Sequence, residues 1–323
     1  MHSVPTEART QLCRCWVCGS SRTVPWRGRT LARELTPEDF RITDSHYGAT
    51  LALRRCPDCD FIFAESEEVQ SLTRLYEQLT DPEYEKSQDT RALQMRWLIS
   101  AARQLRPEAH SLLDIGAGSG LLVAEARRQG LDATGVEPSR ALVEMARSQN
   151  AVEVLPGTFP HAQLAERRFD LVFLVDVIEH VSNPLELLRD CARALDDRGV
   201  VVLVTPDVSS VTARVVGKRW WHFRLAHVGY FSRRSLAAVT RGAGLTVLKR
   251  FRAKWFFRVY YLAERLNQYL PLAGLNRWAQ NFGPLQWLYQ RVVPVNLHDS
   301  TVLILGKEAF SASEPIPRSG RAA

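Results

Sequence analysis

The stretch LLDIGAGSG, Leu112 to Gly120, runs apolar residues past Asp114 into glycines at 116, 118 and 120, and LLVAEARR follows with the character of a helix. The pattern predicts a strand, a tight turn and a helix. Glycine lets the backbone turn sharply and lets a ligand approach where a Cβ would collide with it. A nucleotide-like ligand is therefore expected at the turn.

Spacing separates two classes of such ligands. A nicotinamide or flavin fingerprint is Gly-x-Gly-x-x-Gly, with the pyrophosphate on the helix N-terminus. Here the glycines alternate and Asp114 precedes the first. This arrangement resembles the first motif of class I S-adenosylmethionine (SAM) dependent methyltransferases, whose ligand carries an amino acid where a dinucleotide carries phosphates. Later segments extend the resemblance. DATGVEPS (132–139) reads as a second strand ending in Glu137, 17 positions after Gly120, near the roughly 20 at which such folds hold a ribose-binding acid. AVEVL is a third strand, followed by Pro156-Gly157-Thr158-Phe159, where the family lays its adenine. A fourth strand ends at Asp176, a helix is capped near Asn183-Pro184, and a fifth strand leads to TPD.

The resemblance covers about residues 111–244 and is most like the branch containing ubiquinone-pathway O-methyltransferases and bacterial sugar methyltransferases. It implies an α/β fold with a seven-stranded, mostly parallel Rossmann-like sheet. It also implies SAM as cofactor, held by Asp114, Gly116, Gly118, Gly120, Glu137, Thr158, Phe159 and Asp176. Degenerate members of such families usually lose the glycines or the ribose acid; all are present here, which weighs against a non-catalytic adaptor.

At 323 residues and 46% hydrophobic, the chain can bury one large core and carry a small extra module. The expected division is a zinc-ribbon-like module (1–66), capping helices (67–108), a methyltransferase domain (109–308) with a helical insertion at about 253–298, and a disordered tail (309–323). No apolar N-terminal stretch or run of ~18 apolar residues is present, so a cytoplasmic protein is expected, with peripheral contact at the inner membrane face as an extension. Six cysteines, four of them in two Cys-x-x-Cys pairs, suit a reducing compartment and a metal.

Those pairs are Cys15/Cys18 and Cys56/Cys59. Four thiolates suit tetrahedral zinc in a structural role. The 37 residues between the pairs exceed ordinary ribbon spacing, but loop closure costs grow only logarithmically with length. RCPDCDFIFAES also resembles the second knuckle of zinc modules that precede some bacterial methyltransferase domains. Helical periodicity then runs from Val69 to Leu105, broken at Asp81-Pro82, and related enzymes use such helices to cap the SAM site with an aromatic such as Tyr84 or Tyr76.

Asp176, Glu179 and His180 lie just past the fourth strand, where open α/β sheets bind ligands. His180 can serve as general base, as a structural hydrogen-bonding group or as a metal ligand; relatives that use a divalent cation make Mg2+ a candidate cofactor. His227 and Tyr230, in a segment that resembles the family's acceptor loop, are alternative bases, and His222 is a weaker one. Ser232 should cap the helix that Gly242 and Gly244 end.

Between Val208 and Pro294 stand fifteen Lys or Arg against one acid, Glu264, while the whole chain carries only +7. A sixth strand (244–252) and an antiparallel seventh (299–306) are separated by 46 residues that read as two aromatic-rich helices. A helical lid, a dimer contact or a membrane-facing surface fits this composition, since aromatics with basic residues suit an interface that is apolar on one side and anionic on the other. The acceptor is then a small-molecule or lipid-linked glycan, or a quinone precursor. RNA is the enzymatic alternative, although the fourth strand lacks the Asn/Asp-Pro-Pro-Tyr motif of base amino methyltransferases.

Overall fold

The computed structural model describes residues 13–33, 35–40, 47–65, 69, 72–78, 88–266 and 282–307. Strands β1 (Val24–Arg27), β2 (Leu53–Arg55) and β3 (Ile62–Ala64) come first, followed by helices α1 (Leu72–Glu77) and α2 (Gln88–Arg103). The break expected at Asp81-Pro82, and Tyr84 with it, lies outside the described residues. A regular alternation follows: β4 (Ser111–Ile115), α3 (Leu121–Arg128), β5 (Asp132–Glu137), α4 (Arg140–Asn150), β6 (Val154–Pro156), β7 (Phe169–Val175), α5 (Pro184–Ala194) and β8 (Leu195–Pro206). After α6 (Val211–Val216), β9 (Gly229–Tyr230), α7 (Arg233–Gly242) and β10 (Leu245–Arg252), the chain closes through β11 (Trp255–Arg258), α8 (Val259–Leu266), α9 (Gly283–Gln290), β12 (Val292–Val295) and β13 (Ser300–Lys307).

Seven strands form one sheet in the order β10-β13-β8-β7-β4-β5-β6. The run from β8 to β6 is parallel, and β13 is antiparallel to both neighbours. This is the architecture the glycine turn predicts. Both faces of the central strands are covered, so their side chains alternate between two apolar layers, with period two. Val172, Leu174, Val201 and Leu203 face α5 and α7, whereas Leu171, Phe173, Val202 and Val204 share the opposite layer with Leu98 and Ile99 of α2 and Leu122 of α3. Each such side chain contributes roughly 1.5–3 kcal/mol by leaving water.

Helix ends follow the sequence signals. The Asn183 side chain accepts from Glu186 N ahead of Pro184, and Ser232 exchanges capping bonds with Ser235 at the start of α7. Two features depart from expectation. The insertion does not read as two helices alone: each candidate is helical over only part of its length, and β11 and β12 pair antiparallel, from Trp255 opposite Val295 to Arg258 opposite Val292. Bulky aromatic and β-branched residues on both segments favour the extended pairing. Residues 267–281 lie outside the described set, as does the tail.

The second departure concerns the N-terminal module. Its sheet has the order β1-β2-β3-β9, and β9 belongs to the segment expected to cover the acceptor. Ile62 pairs with Tyr230 and Phe63 with Gly229. Phe61 packs on Phe231 with ring centroids 4.7 Å apart. A side chain at Gly229 would place its Cβ 3.0 Å from the Phe61 ring. The module is thus joined to the larger domain by a strand pair and by close ring packing.

Candidate active site

The C-terminal ends of the parallel strands open on a cavity of about 500 Å³. At one end lies the glycine turn. Gly116 N and Ala117 N donate to Val136 O, closing the turn against β5. Gly116 and Gly118 line the cavity, and both have positive φ. Gly120, expected beside the cofactor, is not in the lining. It too has positive φ, and a Cβ there would sit 2.6 Å from Val152 Cγ2 and 3.0 Å from Ala146 Cβ, so its small size serves the packing of the start of α3 against α4 and the chain entering β6. Gly120→Ala is accordingly expected to cost about 2–4 kcal/mol of folding stability, read by urea denaturation. A loss below about 0.5 kcal/mol would contradict that packing role.

Glu137 stands at the end of β5 and is fully buried, yet borders the cavity. Its Oε2 accepts from Gly118 N at 2.9 Å and its Oε1 from Ser139 N at 2.8 Å. Burial pushes its carboxyl up to about 7, against these two bonds, which favour the charge. Asp114 is also buried but lies behind the turn, outside the lining. Burial, with the neighbouring Glu137 charge, pushes it up to about 8. Thr158 and Phe159 line the same end of the cavity, as expected of the segment after β6.

Facing them, Asp176 adopts φ 54° directly after β7, a left-handed conformation uncommon for a residue with a side chain. Such backbone strain clusters at functional sites. Its Oδ1 is buried without a hydrogen-bond partner among the described residues, and burial pushes the carboxyl up to about 6. Glu179 Oε2 accepts from Thr205 Oγ1 at 3.0 Å, and burial first, then the Asp176 charge, raises its carboxyl well above the usual range.

Three imidazoles complete the far side. His180 Nδ1 lies 2.8 Å from Ala226 O, so the neutral ring donates there and keeps Nε2 unprotonated. Its ring meets that of His227 edge-on at 4.7 Å, and His227 in turn stacks on His222 at 5.8 Å. Burial lowers His180 to about 4 and takes His227 well below the ordinary imidazole range. Tyr230 packs its ring on His227 with centroids 6.3 Å apart, but it is buried in β9, its hydroxyl 3.3 Å from Arg224 O, and it does not line the cavity. Burial raises its phenol further from any role as a base. Tyr76, Arg91, Arg224 and, behind His222, Asp299 were not singled out as site residues by sequence, apart from Tyr76 as a capping aromatic. Tyr76, Arg91 and Arg224 line the cavity.

Ligand atoms of Glu179, His180 and His227 lie within 4.8 Å of one another. Mg2+ is a hard ion that takes oxygen ligands in octahedral geometry, and two of these three donors are imidazoles. The set does not suit Mg2+.

The four cysteines of the N-terminal pairs converge. Cys15 Sγ is 3.6 Å from Cys59 Sγ, and Cys18 Sγ is 3.6 Å from Cys56 Sγ. All four sulfurs lie within 4.8 Å of one another. A disulfide would need about 2 Å. Zinc bonds of about 2.3 Å in a tetrahedron hold thiolates roughly 3.8 Å apart. The donor set fits a structural zinc.

A family model described as a methyltransferase domain matches residues 87–250, half of the chain. A ubiquinone biosynthesis O-methyltransferase of Alkalilimnicola ehrlichii is 35% identical over 104 residues, which are 30% of this chain and 42% of that protein. Its counterpart from Azorhizobium caulinodans is 32% identical over 127 residues, 37% of this chain and 50% of that protein. The match thus spans about half the length of these relatives or less. A solved SAM dependent methyltransferase from Archaeoglobus fulgidus aligns with a TM-score of 0.47 at 15% identity, covering 70% of this chain and 100% of that one.

Proposed function

The chain belongs to the methyltransferase domain family, and on that premise we propose that it transfers the methyl group of SAM to an oxygen of a sugar, glycolipid or quinone-like acceptor. One observation carries this: a single cavity joins Gly116, Gly118 and Glu137 at one end to His180, His222 and His227 at the other. Glu137 would accept both ribose hydroxyl protons, with Thr158 and Phe159 against the adenine. Asp176 would face the amino acid portion of the cofactor. The acceptor oxygen attacks the methyl carbon as the carbon–sulfur bond breaks; sulfur leaves as a neutral thioether, and a base takes the acceptor's proton. The sulfonium is already activated, so alignment with a deprotonated acceptor supplies much of the rate.

A lipid-linked acceptor is favoured over RNA by the surface around the insertion. Val211, Val215 and Trp287 are exposed, and the fifteen basic residues against one acid between 208 and 294 would attract anionic headgroups. None of the described helices is long and apolar enough to cross a membrane, so contact would be peripheral. Incubating the purified protein and methyl-labelled SAM with a host lysate, then separating lipid, nucleic-acid and small aqueous fractions, tests this reading. Label is expected in the lipid extract; label confined to RNA would overturn the acceptor class. Label in small soluble sugars would keep the O-methylation chemistry and remove the membrane contact.

A further inference from the structure

We propose that His222 and Asp299 form the general-base dyad of the methyl transfer, with Asp299 orienting the imidazole that takes the acceptor's proton. The proposal rests on the methyltransferase reading and names the base that reading leaves open. His222 borders the cavity, and its Nε2 lies 3.3 Å from Asp299 Oδ2. The Asp299 carboxylate is buried and accepts a second bond from Trp220 Nε1 at 3.3 Å. With Nε2–H donating to the carboxylate, Nδ1 of His222 is left unprotonated and able to accept a proton. The carboxylate then stabilises the imidazolium that forms, as the buried acid does in a Ser-His-Asp triad.

The other imidazoles lack such a partner. The polar contact of His180 is a backbone carbonyl, Ala226 O. The Nδ1 of His227 is buried with no hydrogen-bond partner among the described residues. Burial disfavours the protonated form of both rings, so neither holds an extra proton readily. Asp299, by contrast, is kept ionised despite its burial, His222 and Trp220 both bonding to it. The titratable groups facing His222 are Asp299, the His227 ring and, across the cavity, Asp176, whose charge Arg224 also offsets. Sequence places Asp299 just before the last strand, after the insertion, which explains why the dyad has no local motif.

The test uses full-length protein with S-adenosylhomocysteine as the cofactor probe. Nitrogen-15 NMR of the histidine side chains, assigned with His222→Gln, should find the neutral His222 ring protonated on Nε2, the nitrogen that faces Asp299 Oδ2. Asp299→Asn should weaken that Nε2–H preference and lower methyl transfer with it, while S-adenosylhomocysteine affinity, by calorimetry, stays within about threefold. With the lysate fraction that the native protein labels, His222→Ala should reduce methyl transfer roughly 100-fold or more, and added imidazole should restore part of it. A His222 protonated on Nδ1, or a His180→Ala variant that loses activity while His222→Ala keeps it, would overturn the dyad. Failure of the native protein to bind S-adenosylhomocysteine would instead overturn the methyltransferase reading, and the dyad with it.

Discussion

Replacing Glu137 with alanine is expected to weaken SAM binding about 100- to 1,000-fold. Each ribose hydroxyl donating to an ionised carboxylate contributes roughly 1.5–3 kcal/mol, and 1.4 kcal/mol is a factor of ten in affinity. Loss of both bonds therefore removes at least about 3 kcal/mol. The side chain also accepts from Gly118 N and Ser139 N, so alanine leaves two N–H groups of the turn to find other partners. Glu137→Gln retains an acceptor oxygen but no charge, and should fall between alanine and the native residue. Calorimetric titration with SAM measures the effect, and a thermal melt of each variant separates binding from folding. An alanine variant that binds within threefold of the native protein would remove Glu137 from the ribose site.

The same residue gives the binding a pH dependence of predictable sign. Burial raises the Glu137 carboxyl to about 7. Two hydroxyl donors favour its charged form, so SAM binding releases a proton. Affinity should rise between pH 6 and 8, approaching tenfold per unit below 7 and flattening above it, and Glu137→Gln should remove that component. Stability without ligand moves the other way. A folded-state value raised above the unfolded one means that the native chain keeps a proton the unfolded chain has lost. The contribution of Glu137 to unliganded stability is therefore lost as pH rises from about 4.5 to 7. Added SAM opposes that loss.

Most of the sheet was legible because its signals are local. Strand, glycine turn and helix follow one another within a few residues, and Asn183-Pro184 and Ser232 cap their helices through neighbours three positions away. The glycine-turn end of the cavity follows the same local signals: Gly116, Gly118, Glu137, Thr158 and Phe159 line it, while two residues of the motif do not. Gly120 and Asp114 belong to the glycine motif, yet one makes room for Val152 and the other sits behind the turn. The histidine end of the cavity was only partly legible. Its pieces come from Val69, the turn after β7, residues 222–227 and Asp299, which meet only when the strands are in order. A periodicity of two or 3.6 residues contains nothing about such meetings. Pairing of β3 with β9 spans 166 positions, from Phe63 to Gly229, and no spacing rule reaches that far.

Through that long-range pairing, a zinc held by the four cysteines would matter beyond its own module. Cys59→Ser, or chelation of the native protein, is expected to release one zinc per chain and unfold strands β1, β2 and β3 as a unit. The module has short strands and little core of its own, whereas a structural zinc contributes roughly 10–16 kcal/mol at neutral pH. Trp16, whose ring lies 4.9 Å from Phe63, should report the unfolding by fluorescence. Hydrogen exchange should find the Ala64 amide, which donates to Val228 O at 2.8 Å, unprotected. Val228 N in turn donates to Glu179 O at 2.9 Å, so one residue links the module to the acid turn beside His180. Loss of β3 removes one side of that link and the Phe61 ring that packs on Gly229 and Phe231. Methyl transfer should therefore fall with the metal. SAM affinity should stay within about threefold, because the glycine turn and Glu137 are held by β4, β5 and their own hydrogen bonds. If metal-free protein kept both its exchange protection and its turnover, the four thiols would be packing groups only, and the acceptor loop would be held in place by the larger domain alone.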